Sequence, residues 1–481
     1  MNIIKSNTVF VSGYFNILHP GHLRLFRAAK EYGSRLVVAI ISDRLAGESA
    51  HLSQNLRLEG VQSNGLVDDA FILDIPVADA ISKIRPEIVV KGKEHESRFN
   101  SELEALQNYG GRLVFSSGET IFSSLDLIQR EFRSIGHKSI ILPNDYLKRH
   151  SIEKSRLVSI LKSFENLKVC VVGDLIIDEY ISCEPLGMSQ EDPTIVVMPV
   201  DSKRFIGGAG IVASHAAGLG ATVKFISVTG KDASRDYALE RLASEGVEAV
   251  LLVDDSRPTT LKQRYRSKGK SLLRVSHLHQ SAISATLQAE FLLEMEQTLK
   301  EADLLVFSDF NYGCLPQQMV DQIVVMAKMT GVTIAADSQS SSQVGDIGRF
   351  KGMDLITPTE REARISTRNR EDGLVVLAEQ LREQSAALNI LLKLGEEGLL
   401  IHTSNGRFGD WLTDRVEALN SNAKDVSGAG DSLLIASAMT LACDGTIWEA
   451  ACMGSLASAL QVSRVGNIPL KTDELMTELM K

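Results

Sequence analysis

Cysteine is scarce and scattered in this chain: Cys170, Cys183, Cys314, Cys443 and Cys452 form an odd set with no Cys-x-x-Cys pair. That pattern argues against a disulfide framework or a zinc ribbon and for reduced packing residues of a cytoplasmic protein. Long apolar runs are missing as well. No stretch is long enough to span a bilayer, and Met1-Asn-Ile-Ile-Lys-Ser lacks a signal-peptide core, so no membrane role is expected. Nor is there an excess of positive charge. With 51 Lys and Arg against 61 Asp and Glu, the net charge of −10 opposes nucleic-acid binding, yet it leaves room for a nucleotide held in a local basic pocket. What remains is 481 residues, 44% hydrophobic and 23% charged, which is enough globular chain for two or three domains.

Thr8 to Ser12 is a short β-branched and aromatic run, and Gly13-Tyr-Phe-Asn-Ile-Leu-His-Pro-Gly-His22 follows it. Leu23 to Tyr32 then carries helical periodicity, and Arg35 to Ile41 reads as a buried parallel strand. Strand, turn, helix and strand make a βαβ unit with its ligand site at the first turn. His19 and His22 open the helix three positions apart, so both rings can face an anion above its N-terminus. Imidazoles and free amides there suit attack at the α-phosphorus of a triphosphate. A zinc site would require further ligands that the sequence does not offer.

Gly-x-Phe-x-x-x-His-x-Gly-His resembles the signature of the cytidylyltransferase-like nucleotidyltransferases. Ser42-Asp43, Val67-Asp68-Asp69, Ile88-Val-Val-Lys-Gly92 and Thr120-Ile-Phe-Ser-Ser124 extend the likeness over residues 8 to about 132, and resemble the adenylyltransferase half of the bifunctional ADP-heptose synthases. The resemblance implies catalytic roles for His19 and His22. It implies nucleotide contacts for Gly13, Tyr14, Phe15, Asn16, Gly21, Lys91, Gly92, Ser123 and Ser124. Two departures stand out. Asn16 occupies a position that is usually Asp, and Arg44 is the only Lys or Arg from Ser42 through Leu56, where that family carries lysines. Triphosphate binding is therefore expected to lean on Arg44, Arg57 and Lys91, with ATP or CTP as the nucleotide.

Residues 136–166 read as a linker and connecting helix: Leu142-Pro-Asn-Asp145 signals a turn, and Tyr146 to Asn166 is an amphipathic stretch expected to pack on the next domain. The domains are therefore placed at 1–135 and 167–481.

The second half is organised around Asp425-Val-Ser-Gly-Ala-Gly-Asp431, followed by an apolar run, Ser432 to Cys443, that reads as a buried helix. A turn without bulky side chains lets backbone N–H groups converge on an anion at a helix N-terminus. Asp431 at its edge can take a proton from an attacking hydroxyl during phosphoryl transfer. The segment resembles the second signature of the ribokinase-like (PfkB) sugar kinases, which implies that Asp431 is the base and that Gly428, Ala429 and Gly430 form the anion hole. Leu167 to Val172 followed by Gly173-Asp174-Leu-Ile-Ile-Asp178 resembles the opening of that fold, with Asp174 and Asp178 facing sugar hydroxyls. Ser182 to Arg204 fits its small β-lid. Gly208-Ala-Gly210-Ile-Val-Ala213 also fits a dinucleotide fingerprint, but no buried strand leads directly into it, so the first sugar-kinase signature, with Gly207 and Gly208 at the substrate, is the better reading.

Related kinases carry asparagines where this chain has Ile211 and His215, which points to an unusual sugar. Lys262 to Arg274 reads as a hairpin, either an exposed lysine-protected edge or a clamp for a sugar phosphate through Lys262, Arg264 and Arg274. Thr359-Glu-Arg-Glu362 stands at the family's Asn-x-x-Glu position, which implies that Glu362 organises a magnesium ion. Ile390 to Leu394 with Gly395-Glu-Glu-Gly398 resembles the strand and turn that approach ATP phosphates, and Gly454 to Gln461 a helix near adenine.

The expected fold is α/β: an N-terminal Rossmann-like nucleotidyltransferase domain, then a ribokinase-like α/β sandwich with a β-lid. The resemblance implies a bifunctional enzyme that phosphorylates a sugar phosphate at its anomeric hydroxyl and joins a sugar 1-phosphate to a nucleotide, in reversed domain order. It also implies magnesium, ATP and a homodimer formed through the lid. The alternative is an active nucleotidyltransferase whose kinase-like domain only binds ligand or dimerises.

Overall fold

The computed structural model describes residues 8–16, 18, 20–92, 101–116, 140–267, 270–340, 345–404, 411–420 and 423–481. The chain forms two compact units, the first of Met1–His137 with Asn369–Leu377 and the second of Lys138–Arg368 with Ala378–Lys481.

In the first unit, β1 (Thr8–Gly13), β2 (Arg35–Ile41), β3 (Asp69–Leu73), β4 (Ile88–Gly92) and β5 (Arg112–Ser116) form a parallel sheet in the order β3-β2-β1-β4-β5. Helices cover both faces, so these strands carry apolar runs rather than alternation; Leu36 to Ile40 is buried throughout. One face packs around Phe26, Val38 and Val90, the other around Phe10, Ile81 and Val89. Strand order reverses between β1 and β4, and such a switch point opens a crevice at the carboxyl end of β1. The helix Pro20–Tyr32 begins there, with proline at the first position where a missing N–H costs nothing.

The second unit continues with β6 (Lys168–Gly173), β7 (Leu175–Met188), β8 (Ile195–Gly208), β9 (Thr222–Thr229), β10 (Val247–Val253), β11 (Thr260–Ser267), β12 (Lys270–His277), β13 (Leu304–Asp309), β14 (Thr333–Ser338), β15 (Leu355–Ile356), β16 (Asn389–Lys393), β17 (Leu399–Ser404) and β18 (Trp411–Val416). Among the described residues these make two sheets. The main one runs β10-β9-β6-β13-β14-β15-β16-β17-β18, parallel as far as β16 and antiparallel beyond it. The smaller one, β12-β11-β7-β8, matches the expected lid.

The helix Ala429–Ala442 is buried all round from Asp431 to Thr440. Small residues allow this, because a Cβ on Gly454 of the helix Ile447–Val462 would lie 2.1 Å from Ser437 Oγ. Gly454 therefore serves helix packing. The expected linker also needs correcting. Helices Asn144–Arg149 and Lys154–Ser163 place Tyr146, Leu147, Leu157, Ile160 and Leu161 in the main core of the second unit, and Tyr146 OH donates to Trp448 O at 2.9 Å. From Ile140 onward this stretch is part of that unit.

Candidate active sites

In the first unit the chain leaves β1 through Gly13 and turns at Phe15, whose φ of 49° is strained for a side-chain-bearing residue. Gly13 permits this turn: a Cβ there would stand 3.0 Å from the Phe15 ring. Phe15 is buried, with its ring 4.9 Å from that of His22 and 5.6 Å from that of Phe26. His22 thus sits in the first turn of the helix that Gly21 also helps to open. Tyr14 is exposed. His19, Ser123 and Ser124 lie outside the described residues.

The basic residues expected at a triphosphate are differently employed. Arg57 is 1% exposed, and its guanidinium donates to the carbonyls of Leu52 at 2.9 Å, Tyr14 at 2.6 Å and Ile41 at 2.9 Å and to Asp43 Oδ1 at 2.7 Å. Arg57 is therefore a brace for the Gly13 turn, not a phosphate ligand. Arg44 is exposed and bonds Asp74 Oδ1 at 3.0 Å, and Lys91, beside Gly92 at the end of β4, donates to Glu102 Oε1 at 2.7 Å. Asn16 donates to Ser49 O and accepts from His51 N–H, both at 2.8 Å. An Asp could accept but not donate there, so the departure at position 16 fits the departure in the following loop.

In the second unit, Gly428 adopts φ 76° and opens the helix Ala429–Ala442, whose first N–H groups have no partner within the helix. Asp431 lies on that first turn, buried, and its Oδ1 accepts from Gln339 Nε2 at 3.0 Å. Burial, then the charge of Asp337, push its carboxyl up to about 7, against the pull of Lys393. Lys393, at the end of β16, holds both oxygens of Asp337 at 3.0 and 2.9 Å, and a Cβ on Gly430 would stand 3.2 Å from its Nζ. Asp337 is itself pushed up to about 6 by burial. Sequence reading missed Gln339, Asp337 and Lys393. Each ends or follows an apolar strand at the sheet's carboxyl edge, and that position was the available signal.

Glu362 has both oxygens engaged: Oε1 accepts from Ser340 N–H at 3.0 Å and Oε2 from Thr359 N–H at 2.7 Å. Thr359 and Glu362 form a capping box at a helix start, so Thr359 has a structural reason to be there. No group of three His, Cys, Asp or Glu side chains that could hold a metal occurs among the described residues. Both Glu362 oxygens are held by the backbone around the helix start. The turn Gly395–Glu397 follows Lys393, and Gly398 (φ 95°) leaves no room for a Cβ, which would meet Val416 O at 2.2 Å.

Asp174 and Asp178 separate. Asp174 accepts from the amides of Phe310, Tyr312 and Cys314 at 2.8 to 3.3 Å, which makes it the anchor of that loop and leaves Asp178 as the carboxylate of the site. Asp178 is 7% exposed; burial raises its pKa although Arg264 and Lys262 oppose this, and its Oδ1 lies 3.4 Å from Arg264 Nη2. Gly207 makes room for it, since a Cβ there would lie 2.4 Å from Asp178 Oδ2, and Gly208 (φ 59°) turns the chain into the next helix. Arg264 also donates to Tyr180 OH at 2.6 Å and Ser427 Oγ at 2.9 Å, while Lys262 lies over the rings of Phe310 and Tyr312. Arg274 stands exposed on the lid's edge strand, opposite Arg264. Arg264 thus links Asp178 to Ser427 of the glycine turn, so the lid residues and that turn share one site.

Ile211 lines a cavity with Phe205, Ile206 and Asn467. It is fully buried in the apolar core, and His215, also buried, accepts the Leu470 N–H on Nδ1 at 3.0 Å.

A family model described as pfkB family carbohydrate kinase matches residues 166–473. The chain belongs to that family. A cytidylyltransferase-like model matches residues 10–174, so the nucleotidyltransferase-like part precedes the pfkB part. The two matches overlap at β6, which the sheet assigns to the pfkB unit. The chain is 30% identical over 319 residues to the Bifunctional protein HldE of Bradyrhizobium diazoefficiens, covering 65% of this chain and 63% of that protein. The match thus spans less than two thirds of that relative. Among solved structures, phosphofructokinase-2 from Escherichia coli (TM-score 0.53, 16% identity) covers 65% of this chain and 98% of its own. A ribokinase from Thermotoga maritima (0.52, 22%) covers 66% and 100%. Both likenesses establish the ribokinase-like fold.

Proposed function

We propose that this chain catalyses two of the steps that make a sugar nucleotide, with a separate phosphatase removing the original phosphate of the sugar by hydrolysis between them. The pfkB unit transfers the γ-phosphoryl group of ATP to the anomeric hydroxyl of a sugar phosphate such as heptose 7-phosphate. The cytidylyltransferase-like unit joins a sugar 1-phosphate to ATP or CTP with release of pyrophosphate, giving an ADP-heptose-like product for cell-surface polysaccharide.

The observation that carries the first step is the placement of Asp431. Its carboxyl sits beside the open amides of a helix N-terminus and within electrostatic reach of Asp178 and Lys393. Asp178 fixes a hydroxyl, Asp431 takes the proton of the attacking one, and the helix N-terminus and Lys393 face the transferred charge. Lys262 and Arg264 supply positive charge toward a phosphate already on the sugar. Magnesium, arriving with the nucleotide, would supply charge neutralisation beside Glu362 and Asp337. In the first unit His22, with Gly13 and Phe15 shaping the turn, would face the triphosphate.

No helix of the described residues is long and apolar enough to cross a membrane. Leu186, Met188, Ile195 and Val200 lie exposed on the lid and suit a dimer formed there. Incubation with ATP or CTP, magnesium and a panel of sugar phosphates, followed by phosphorus NMR, tests the proposal. A new anomeric phosphate and pyrophosphate are expected; neither appearing would refute it.

A further inference from the structure

Asn467 lies on the C-terminal segment Gly466–Leu470, which is tied down at both ends: Asp425 Oδ2 accepts the Gly466 N–H at 3.1 Å, and His215 accepts that of Leu470. Asn467 is 8% exposed, and its Nδ2 donates to Asp178 Oδ2 at 3.3 Å. The reverse amide orientation would set an oxygen against a carboxylate, so the assignment is chemically determined. The other end of the amide, Oδ1, is buried without a hydrogen-bond partner among the described residues. It points toward the glycine turn, since a Cβ on Gly428 would stand 2.8 Å from it. Gly207, Gly428 and Asp178 therefore surround Asn467. It also borders a cavity of about 480 Å³ together with Phe205, Ile206, Ile211 and Ile468. A buried amide oxygen left unsatisfied is costly, and such a group in a native fold calls for a ligand donor.

We propose that Asn467 determines sugar specificity in the pfkB unit, its Oδ1 accepting a substrate hydroxyl adjacent to the hydroxyl bound by Asp178. The inference rests on the kinase reading above. Two neighbouring acceptors, one charged and one neutral, fit a vicinal diol of the acceptor sugar. An amide delivered from the C-terminal segment performs the recognition.

The test uses the full chain with heptose 7-phosphate, its epimers and the corresponding monodeoxy compounds, comparing the unaltered protein with Asn467→Ala. One deoxy compound should lose about 5- to 150-fold in kcat/KM with the unaltered protein, the range for one buried hydrogen bond. Asn467→Ala should lose a similar factor on the parent sugar and less than about 3-fold further on that deoxy compound. Equal discrimination by both proteins across the whole deoxy series would overturn the inference and leave the kinase reading standing. Phosphorylation of no sugar by the unaltered protein would overturn both. Asn467→Ser serves if the alanine variant does not fold, and an unchanged rate of pyrophosphate release in the first unit is the control for integrity.

Discussion

Arg57 in the first unit and Lys393 in the second are both cations drawn into the protein, and their partners differ in kind. Arg57 is enclosed by three backbone carbonyls and one partly exposed carboxylate, so its donors are used and its charge is answered by dipoles of the fold. Lys393 meets the buried Asp337, with Glu362 and Asp431 also acting on it. Three carboxylates act on one ammonium, and burial first, with their mutual repulsion added, pushes Asp337 up to about 6 and Asp431 to about 7. A cation ringed by carbonyls is a brace whose bonds are complete. One ringed by carboxylates marks a place where further positive charge, such as a nucleotide-bound magnesium ion, improves the electrostatics.

The contrast predicts different consequences of removing charge. Arg57→Met leaves three backbone carbonyls and Asp43 without their donor, and should cost the first unit about 2–4 kcal/mol, the scale of several partly buried hydrogen bonds. Urea unfolding should show an early transition for that unit, with sugar phosphorylation retained at low urea; an unchanged profile would mean that Arg57 is not a brace. Asp431→Asn keeps the shape and removes the base, so sugar phosphorylation should fall by at least about 10²-fold with the fold intact. Asn16→Asp loses the donor to Ser49 O and should cost about 1 kcal/mol, read as faster hydrogen exchange at the His51 amide. No change there would remove the link between position 16 and its loop.

The smallest effect is on pH dependence. Asp431 acts deprotonated, so kcat/KM for phosphorylation should rise with pH through about 7 in the free enzyme. Its folded pKa, like that of Asp337, lies above the ordinary carboxylate value. The associated stability is therefore present below about pH 4 and lost as pH rises through 6 to 7. Asp431→Asn should flatten the decline of Tm between pH 5 and 8; an identical slope would contradict the assigned shift.

Much of the fold was legible because its signals are local. Arg35 to Ile41 could only be a strand covered on both faces, and Ser432 to Cys443 only a buried helix. The glycine turns at Gly13 and Gly428 were equally readable, since small residues before a helix mark a close approach. What the sequence concealed was pairing across the chain. Asp174 and Asp178 look alike in sequence, and only the loop 310–314 separates an anchor from a site carboxylate. Arg57 looked like a phosphate ligand because its carbonyl partners come from three different segments. Asn467 lies 289 positions from Asp178, beyond any motif.

The claim that two chemistries reside in two separate units is tested most directly by phosphorus NMR on a crossed pair of variants, Asp431→Asn and His22→Ala. Each is incubated once with ATP and a sugar phosphate and once with nucleotide and a sugar 1-phosphate. Asp431→Asn should form no anomeric phosphate yet release pyrophosphate at the unaltered rate. His22→Ala should do the reverse, with pyrophosphate release slowed by about 10²-fold, the scale for losing a donor to developing charge. Loss of both activities in either folded variant would contradict it.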